Sequence, residues 1–360
     1  MNKKLIALAV AGACVAPTVM AQTANPVTLY GRIYVTVESV EADGPTAATQ
    51  SLGNRSRIQD QASYLGVRGT EDLGGGLKAV FQLETSFAPD QNPAVTGTPN
   101  ATTPRETGFA NRNSMVGLQG SWGTIFAGRW DTPMKQVITA TDPWGDLTIA
   151  DVNGVTMDQG NFSRRQNNSL QYWSPKFMGA LDLKLMATSN EGKTASANPS
   201  GYGASLTWNK GPLYLTYAYE QHKDGLPGGA PGASTPNYKE EGNAIGAIWR
   251  FGNARLLGSY GEYKKTGGVK DKSYHVGGDW KINGGKHNLI GTYMNAEEGA
   301  GDCDAYSVGY KYDFSRRTFF ITSYTEIDNS NGMNCNFGTG SFASAGFDLK
   351  GFSAGLRHVF

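Results

Sequence analysis

The sequence predicts an all-β fold, a closed antiparallel β-barrel of about sixteen strands in a single domain. Three observations support this prediction. Apolar and polar residues alternate with a period of two, and short turns alternate with long polar connections. The chain is also hydrophilic on average, with a mean hydropathy of −0.40, although it contains 17 Tyr, 15 Phe and 7 Trp. A barrel that spans a membrane has this combination because only alternate residues of each strand need to be apolar.

The alternation is clearest between residues 77 and 87 and recurs in segments 181–185, 213–219 and 352–360. Successive side chains of a strand point to opposite faces of the sheet. A soluble sandwich alternates as well, but its polar face meets solvent, whereas in a wide barrel that face meets the pore. We expect the apolar set to face lipid and the polar set to face the lumen: Phe81, Leu83, Leu215 and Phe352 against Lys78, Gln82 and Glu84.

Connections of two lengths follow one another along the chain. Tight ones fall near residues 71–76, 120–123, 209–212, 251–253, 283–286 and 313–316, and longer ones cover 88–111, 131–164 and 222–241. Short turns at one end and long loops at the other are typical of barrels whose ends face different compartments. Beyond the N-terminus, no apolar run approaches the roughly 20 residues that a transmembrane helix needs.

The first 21 residues have the features of a signal peptide: a basic start, an apolar stretch and small residues before Ala21. We expect cleavage after Ala21, which leaves residues 22–360 as an exported barrel. Cys14 leaves a lipoprotein reading open, but Ala11 stands three residues before it, where a lipoprotein has leucine.

Charge and cysteine content limit the partners. The formal net charge is +1, and loss of Lys3 and Lys4 with the signal peptide changes it to −1, which does not support nucleic-acid binding. The exported chain keeps Cys303 and Cys335. An even pair in an oxidising compartment favours a disulfide, here between the last two extracellular loops, with two free thiols as the alternative.

Enzymatic motifs are missing from the sequence. None of the four His lies two residues before a Ser, and no Gly-x-Ser-x-Gly nucleophile elbow occurs. No closely spaced His, Cys and Asp cluster suggests a metal, and the glycines of segment 73–77 read as a turn rather than a phosphate-binding loop. We therefore expect no catalytic residues, cofactor or metal. An outer-membrane hydrolase and a non-conducting adhesin remain the alternatives to a pore.

The chain ends in an alternating strand whose last residue is Phe360. A terminal Phe resembles the signal that the barrel assembly machinery of bacterial outer membranes reads. On its own this is weak evidence, but it coincides here with a signal peptide and strand alternation.

Several segments together, in this order, resemble the general porins of Gram-negative bacteria, in particular the β-proteobacterial kind. They are dense in the first half of the chain and sparse in the second: 27–32, 64–79, 81–84, 116–118, 127–129, 142–146, 168–172, 174–175 and 355–358. The resemblance implies an outer-membrane barrel of sixteen strands, surrounded by lipid and lipopolysaccharide, assembled as a homotrimer and acting as a passive, water-filled channel. It also implies that the third extracellular loop, residues 131–164, folds inward and constricts the pore.

In such porins, acidic residues on the third loop face basic residues on the opposite wall. Positions that match the family pattern are Asp142 and Asp146 on the loop and Arg32, Arg68, Arg129 and Arg165 on the wall. The opposite signs nearly offset each other, so only a weak preference for anions is expected. Each Arg has an alternative role as a solvated lumen side chain or a contact to lipid phosphate, and Asp142 could instead cap the turn before Pro143.

The sequence also departs from the family pattern. Tyr64 stands where a basic residue often lies, which weakens the expected row of cations. Trp130, Trp144 and Phe162 make the third loop more aromatic than the resemblance leads one to expect.

Overall fold

The computed structural model describes ten ranges of the 360-residue chain: 26–44, 51–90, 108–145, 148–156, 162–188, 191–225, 236–268, 270–330, 332–338 and 343–360. The expected signal peptide, residues 1–21, lies outside these described residues. Almost all regular structure within them is extended.

Seventeen strands form in the described part of the chain, together with one α-helix in the third loop. The helix is α1 (Pro133–Thr141). The strands are β1 (Val27–Asp43), β2 (Leu52–Asp60), β3 (Tyr64–Gly74), β4 (Leu77–Ser86), β5 (Ser114–Gly120), β6 (Gly123–Asp131), β7 (Arg165–Trp173), β8 (Leu181–Thr188), β9 (Ser200–Lys210), β10 (Leu213–Lys223), β11 (Lys239–Phe251), β12 (Ala254–Lys265), β13 (Lys270–Ile282), β14 (His287–Glu298), β15 (Gly301–Asp313), β16 (Thr318–Asn329) and β17 (Asp348–Val359).

Every strand pairs antiparallel with its neighbour in the sequence, except that β2 and β3 share one position in the sheet. Both pair with β1, β2 along residues 35–42 and β3 along residues 27–32. The last strand, β17, pairs with β1 over twelve residue pairs from Arg32–Val359 to Asp43–Asp348, so the sheet closes on itself. The predicted all-β closed barrel of about sixteen strands is thereby confirmed, with β2 and β3 as the two halves of one broken strand.

The break in that strand is held by Arg32 of β1 and by Ser63, which lies between β2 and β3. Ala62 has a positive φ of 54°, and Arg32 donates from Nη2 and Nε to its carbonyl oxygen at 2.8 and 3.2 Å. The same guanidinium reaches the Gln61 carbonyl at 3.3 Å, and Ser63 Oγ accepts from the Tyr34 amide at 3.0 Å. A wall at membrane depth cannot leave backbone groups unpaired, so these side chains replace the missing ladder bonds.

The two ends of the barrel differ as the connections predict. At one end, here called the turn end, β3–β4, β5–β6, β9–β10 and β11–β12 are joined by two residues each. The longest connections, 87–113, 132–164 and 330–347, all lie at the opposite end, here called the loop end. The start of β1 at Val27 and the C-terminal Phe360 lie at the turn end, where Phe360 and Gly31 exchange two backbone hydrogen bonds of 3.1 Å.

Outward-facing side chains of the strands are apolar and exposed. Leu83 is 38% exposed, Leu215 39% and Phe352 50%, whereas Glu84, next to Leu83, is only 7% exposed. This inversion of the soluble pattern indicates an outer surface that is built for lipid. In the described residues, the helices do not reach the length and apolar character needed to cross a membrane.

A disulfide joins Cys303 and Cys335, whose Cα atoms lie 6.4 Å apart. Cys335 lies in the last loop, whereas Cys303 lies in β15 near its loop end, and not in a loop as the sequence interpretation had it. The bridge ties the last loop, residues 330–347, to the wall.

The register can be tested with one lysine placed on each face of β4. We expect Leu83→Lys to impair folding into lipid vesicles, because a lysine on the lipid face near mid-bilayer costs about 2 to 4 kcal/mol. Gln82→Lys, its matched control, should fold nearly as well as wild type, although it loses the bond from Gln82 to the Asn113 carbonyl. Equal tolerance of the two lysines, measured as the fraction folded in urea titrations, would contradict the register.

Thiol labelling tests the disulfide. We expect the unreduced, denatured mature protein to contain no reactive thiol, and the Cys335→Ser variant to contain one. Because the bridge restricts the unfolded chain, the variant should lose about 2 to 4 kcal/mol of unfolding free energy. Two free thiols in the unreduced wild type would show that the bridge does not form.

Candidate functional site: the interior of the barrel

The inner face of the wall is lined by small hydroxyl side chains that pair across strands. Thr207 and Thr216 lie 3.1 Å apart between β9 and β10, and Ser307 and Thr325 lie 2.9 Å apart between β15 and β16. They occupy the buried positions of strands whose other positions are exposed and apolar. An interior of this kind is typical of barrels that hold water.

The third loop begins with α1, which the sequence analysis did not predict. Thr132 caps its N-terminus by accepting a 3.1 Å hydrogen bond from the Lys135 amide, and Pro133 occupies the first turn. Both residue types are favoured there, because Thr satisfies a free amide and Pro lacks one. Polar caps thus allow a nine-residue helix to form inside a β protein.

One face of α1 packs against glycines of the inner wall. A Cβ at Gly246 of β11 would lie only 2.9 Å from Val137, and one at Gly242 would lie 3.0 Å from Met134. At the end of the helix, His275 of β13 contacts the Thr141 carbonyl through Nε2 at 3.0 Å. The helix α1 thus lies against strands β8 to β12, and His275 adds a contact from β13.

After the helix, Trp144 anchors the loop farther around the wall. Its side chain is 2% exposed and its indole donates to Thr292 Oγ1 of β14 at 3.0 Å. The ring lies over Gly309 of β15, where a Cβ would come within 2.8 Å. Trp144 also packs in one buried cluster with Tyr34 and Ile321. The aromatic character of the loop, which departs from the family pattern, therefore serves its attachment to the wall.

The returning limb of the loop is held by a buried charged cluster. Phe162 stacks on His222 with 5.1 Å between ring centroids, and His222 lies between Glu240 at 2.6 Å and Glu220 at 2.8 Å. Burial lowers the pKa of the adjacent Arg164, while Glu220 and Glu240 counteract this. Both carboxylates thus have cationic or aromatic neighbours inside the barrel.

The last loop covers the third loop. Asn336 donates its amide to the Gly154 carbonyl at 3.1 Å. Phe337 and Cys335 belong to the same buried cluster as Ile149 and Val152 of the third loop. Because Cys335 is bonded to β15, the two loops are fixed to the wall as one packed unit.

Arg32 and Arg68 both project from the inner face, but their surroundings differ. Arg32 is 4% exposed and its guanidinium serves the strand break. Arg68 is exposed and lies over the Tyr30 ring with 4.9 Å to the centroid. No described carboxylate forms an ion pair with Arg68. Of the four arginines named from the sequence, Arg68 is the one most available to solute.

Arg129 lies on the outer side of the wall. It contributes to an open groove of about 550 Å³ with Phe81, Leu83 and Val116, which point outward. Its guanidinium donates to the Asn111 carbonyl at 2.9 Å and to Asn167. The pairing between β6 and β7 shifts by one residue at Gly128 to Trp130, yet the shift does not turn Arg129 inward.

Arg165 is engaged by a carboxylate next to α1. Its Nε lies 3.5 Å from Asp131 Oδ1 and 3.1 Å from Asn113 Oδ1. Lys135 of the helix lies 3.0 Å from the same Asp131 oxygen. One carboxylate is thus shared by two cations at the start of the third loop.

Asp142 accepts the amides of Trp144 at 3.0 Å and Gly145 at 3.1 Å. This is the capping role that the sequence left open as its alternative. Asp146 lies outside the described residues. The loop carboxylate that is described therefore shapes the turn that presents Trp144 to the wall.

A column of arginine and tyrosine side chains was not predicted. The guanidinium groups of Arg32 and Arg112 lie over the Tyr64 ring, at 5.2 and 4.8 Å from its centroid. Arg112 also pairs with Glu84 at 2.5 Å, and Glu84 accepts from Tyr30 at 3.1 Å. The sequence interpretation took Tyr64 as a gap in the row of basic residues, whereas its ring lies between the cations Arg32 and Arg112. Arg112 follows a long polar loop, where no periodicity marks its direction.

Other acidic groups of the inner wall are paired as well. Glu38 lies 2.6 Å from Arg57 and accepts from Gln61 at 2.7 Å. In the ranges that the structure describes, no group of three or more His, Cys, Asp or Glu side chains is placed to bind a metal ion.

Comparisons with known proteins agree with this architecture. The sequence model of the Gram-negative porin family matches residues 7–332. Outer membrane porin protein 32 of Delftia acidovorans is 29% identical over the full length of both chains, and major outer membrane protein P.IB of Neisseria meningitidis serogroup B is 28% identical, again over both full lengths.

Solved structures show the same fold. An anion-selective porin from Comamonas acidovorans superposes with a TM-score of 0.74 at 26% identity, covering 93% of this chain and 100% of that one. The outer-membrane expressed OmpT of Vibrio cholerae has a TM-score of 0.67 at 15% identity, covering 95% of this chain and 100% of that one, which shows the fold alone. This chain belongs to the Gram-negative porin family and is a multi-pass β-barrel protein of the outer membrane.

Proposed function

We propose that the barrel is a water-filled channel through which ions and small hydrophilic solutes diffuse passively. The observation that carries the proposal is the polar, hydroxyl-rich inner face of a closed barrel whose outer face is apolar. Family and fold point to a channel rather than an enzyme, and we propose no catalytic activity. Residues 1–21 would leave as a signal peptide, so that residues 22–360 form the mature channel.

The third loop would narrow this channel. Support comes from its attachment to the inner wall through α1, Trp144 and Phe162. The open passage would then run between the loop and the wall that carries Arg68, with Arg32 and Arg165 nearby. Arg129 would not line this passage, because it faces outward. Asp146 would be an acidic residue of the constricting loop, as its sequence motif indicates.

Selectivity for anions should be weak. The acidic groups Glu38 and Glu84 are already paired with arginines, whereas Arg68 has only an aromatic partner among the described residues. Fixed positive charge along a narrow aqueous path favours anions. The Comamonas acidovorans relative is named as anion-selective, which supports the same sign here.

In the membrane, we propose a homotrimer surrounded by lipid and lipopolysaccharide. Phe360 would be the residue that the barrel assembly machinery reads, since it is exposed and ends the strand that closes the barrel. These partners are supported by the family and by the position of Phe360 at the turn end.

Conductance in planar bilayers tests the channel directly. We expect the purified, folded protein to give discrete current steps without added energy source. A folded barrel that inserts but gives no steps would instead favour a non-conducting adhesin and would refute the proposed function.

Charge substitution tests the constriction. We expect Arg68→Ala to shift the reversal potential across a salt gradient toward cation preference, and Asp146→Ala to shift it toward anions. Charges act over about 10 Å at 0.1 M salt, so both shifts should shrink as ionic strength rises.

Two control variants make the charge test specific. Arg68→Lys should keep the wild-type potential because it keeps the charge, and Arg129→Ala should keep it because that side chain faces outward. If Arg68→Ala leaves the potential unchanged, Arg68 does not line the narrow part of the pore.

A further inference from the structure

A polar pocket of about 280 Å³ lies between α1 and the inner wall formed by β8, β9 and β10. The helix contributes the face opposite to its glycine contacts. The wall contributes one lysine and a row of hydroxyl groups. The lining residues used below are Gln136, Lys184, Ser205, Thr207, Tyr214 and Thr216.

The ammonium group of Lys184 is only partly satisfied by the protein. It donates to Gln136 Oε1 of the helix and lies 4.5 Å from the centroid of the Trp173 ring. In the described ranges, no carboxylate lies within ion-pair distance of it. An ammonium has three donors, so further acceptors can be bound. A partly buried cation without an ion-pair partner is unfavourable, and an anion in the pocket would reduce that cost.

The carboxylate that lines the pocket is engaged by cations other than Lys184. Asp131, which also lines it, is shared by Lys135 at 3.0 Å and Arg165 at 3.5 Å and is not available to Lys184. Asp182 lies two residues away on the same strand and interacts with Lys184 electrostatically, but among the described residues no ion pair joins the two. The lining thus contains one lysine and one carboxylate, and the carboxylate is engaged by two cations outside the pocket.

The rest of the wall offers hydroxyl groups rather than apolar surface. Thr207 and Thr216 lie 3.1 Å apart on facing strands, and Ser205 and Tyr214 flank them. Hydroxyl groups both donate and accept, so they match solutes that carry hydroxyl groups of their own. A volume of this size is at the lower limit for ligand sites, which favours solutes of roughly three to six carbon atoms.

We propose that this pocket binds small hydroxycarboxylates. Lys184 would bind the carboxylate of the solute. Gln136 would rotate away from Lys184 and form a hydrogen bond with the first hydroxyl group. Thr207, Thr216 and Tyr214 would hold the remaining hydroxyl groups. Such solutes would pause beneath α1 before leaving the channel. The inference rests on the proposed channel function, because the lumen gives the solute its route to the pocket.

Calorimetric titration of the purified full barrel in detergent tests this binding without a conductance measurement. With gluconate as the probe, we expect saturable binding, at least about tenfold tighter than that of acetate, which lacks hydroxyl groups, or glucose, which lacks charge. Lys184→Gln should weaken gluconate binding by about tenfold or more, since it removes a charged donor.

Two further variants separate the pocket from general charge effects. Lys78→Gln, a lysine of the inner face on β4 and away from the pocket, should bind gluconate like wild type. Thr207→Val should weaken gluconate but not acetate. Equal gluconate affinity in wild type and Lys184→Gln, or acetate bound as tightly as gluconate, would overturn the inference. A barrel that binds gluconate as expected but conducts no current would refute the channel and leave the pocket standing.

Discussion

The need to pair every backbone polar group inside a lipid bilayer is the constraint on which this structure depends. An open sheet would leave two edges unpaired, so β17 must return to β1. The constraint is most visible where the ladder fails. Between β2 and β3 the backbone leaves the sheet, and the Arg32 guanidinium takes over as donor to two carbonyl groups. A residue that family resemblance assigns to the pore is thus also required by the wall.

Once the wall is closed, its interior is either filled by side chains or open to water, and this barrel contains a region of each kind. Around α1, Trp144 and Phe337 the inner wall and two loops form an apolar core, whereas the opposite wall carries arginines, tyrosines and paired carboxylates. Low polarity next to fixed charge strengthens the local field. The channel is therefore asymmetric: one side of the wall packs against the loops, and the opposite side contacts solute.

How much the sequence could predict depends on the range over which each signal acts. Alternation in β4 is local, so the faces of Leu83 and Gln82 follow from the sequence. The break at Ala62 does not, because no Gly or Pro marks it and the residue that repairs it, Arg32, lies 30 positions away. Helix α1 was missed because four of its nine residues are β-branched, and its wall contacts decide its conformation. Arg112 depends on loop geometry that periodicity does not encode, whereas the outward direction of Arg129 follows the alternation with exposed Ile125 and Ala127, and the family resemblance misplaced it.

The glycines beneath the third loop have a consequence for nanopore engineering. Gly246 and Gly309 leave room for Val137 and Trp144, and the neighbouring inward positions of the wall, such as Ile290 and Ile321, are apolar. Deleting the loop would therefore expose a stripe of apolar side chains to water inside the lumen. Exposed apolar surface of this kind binds other chains or detergent. A wider bore would need polar replacements on the wall as well as a shorter loop.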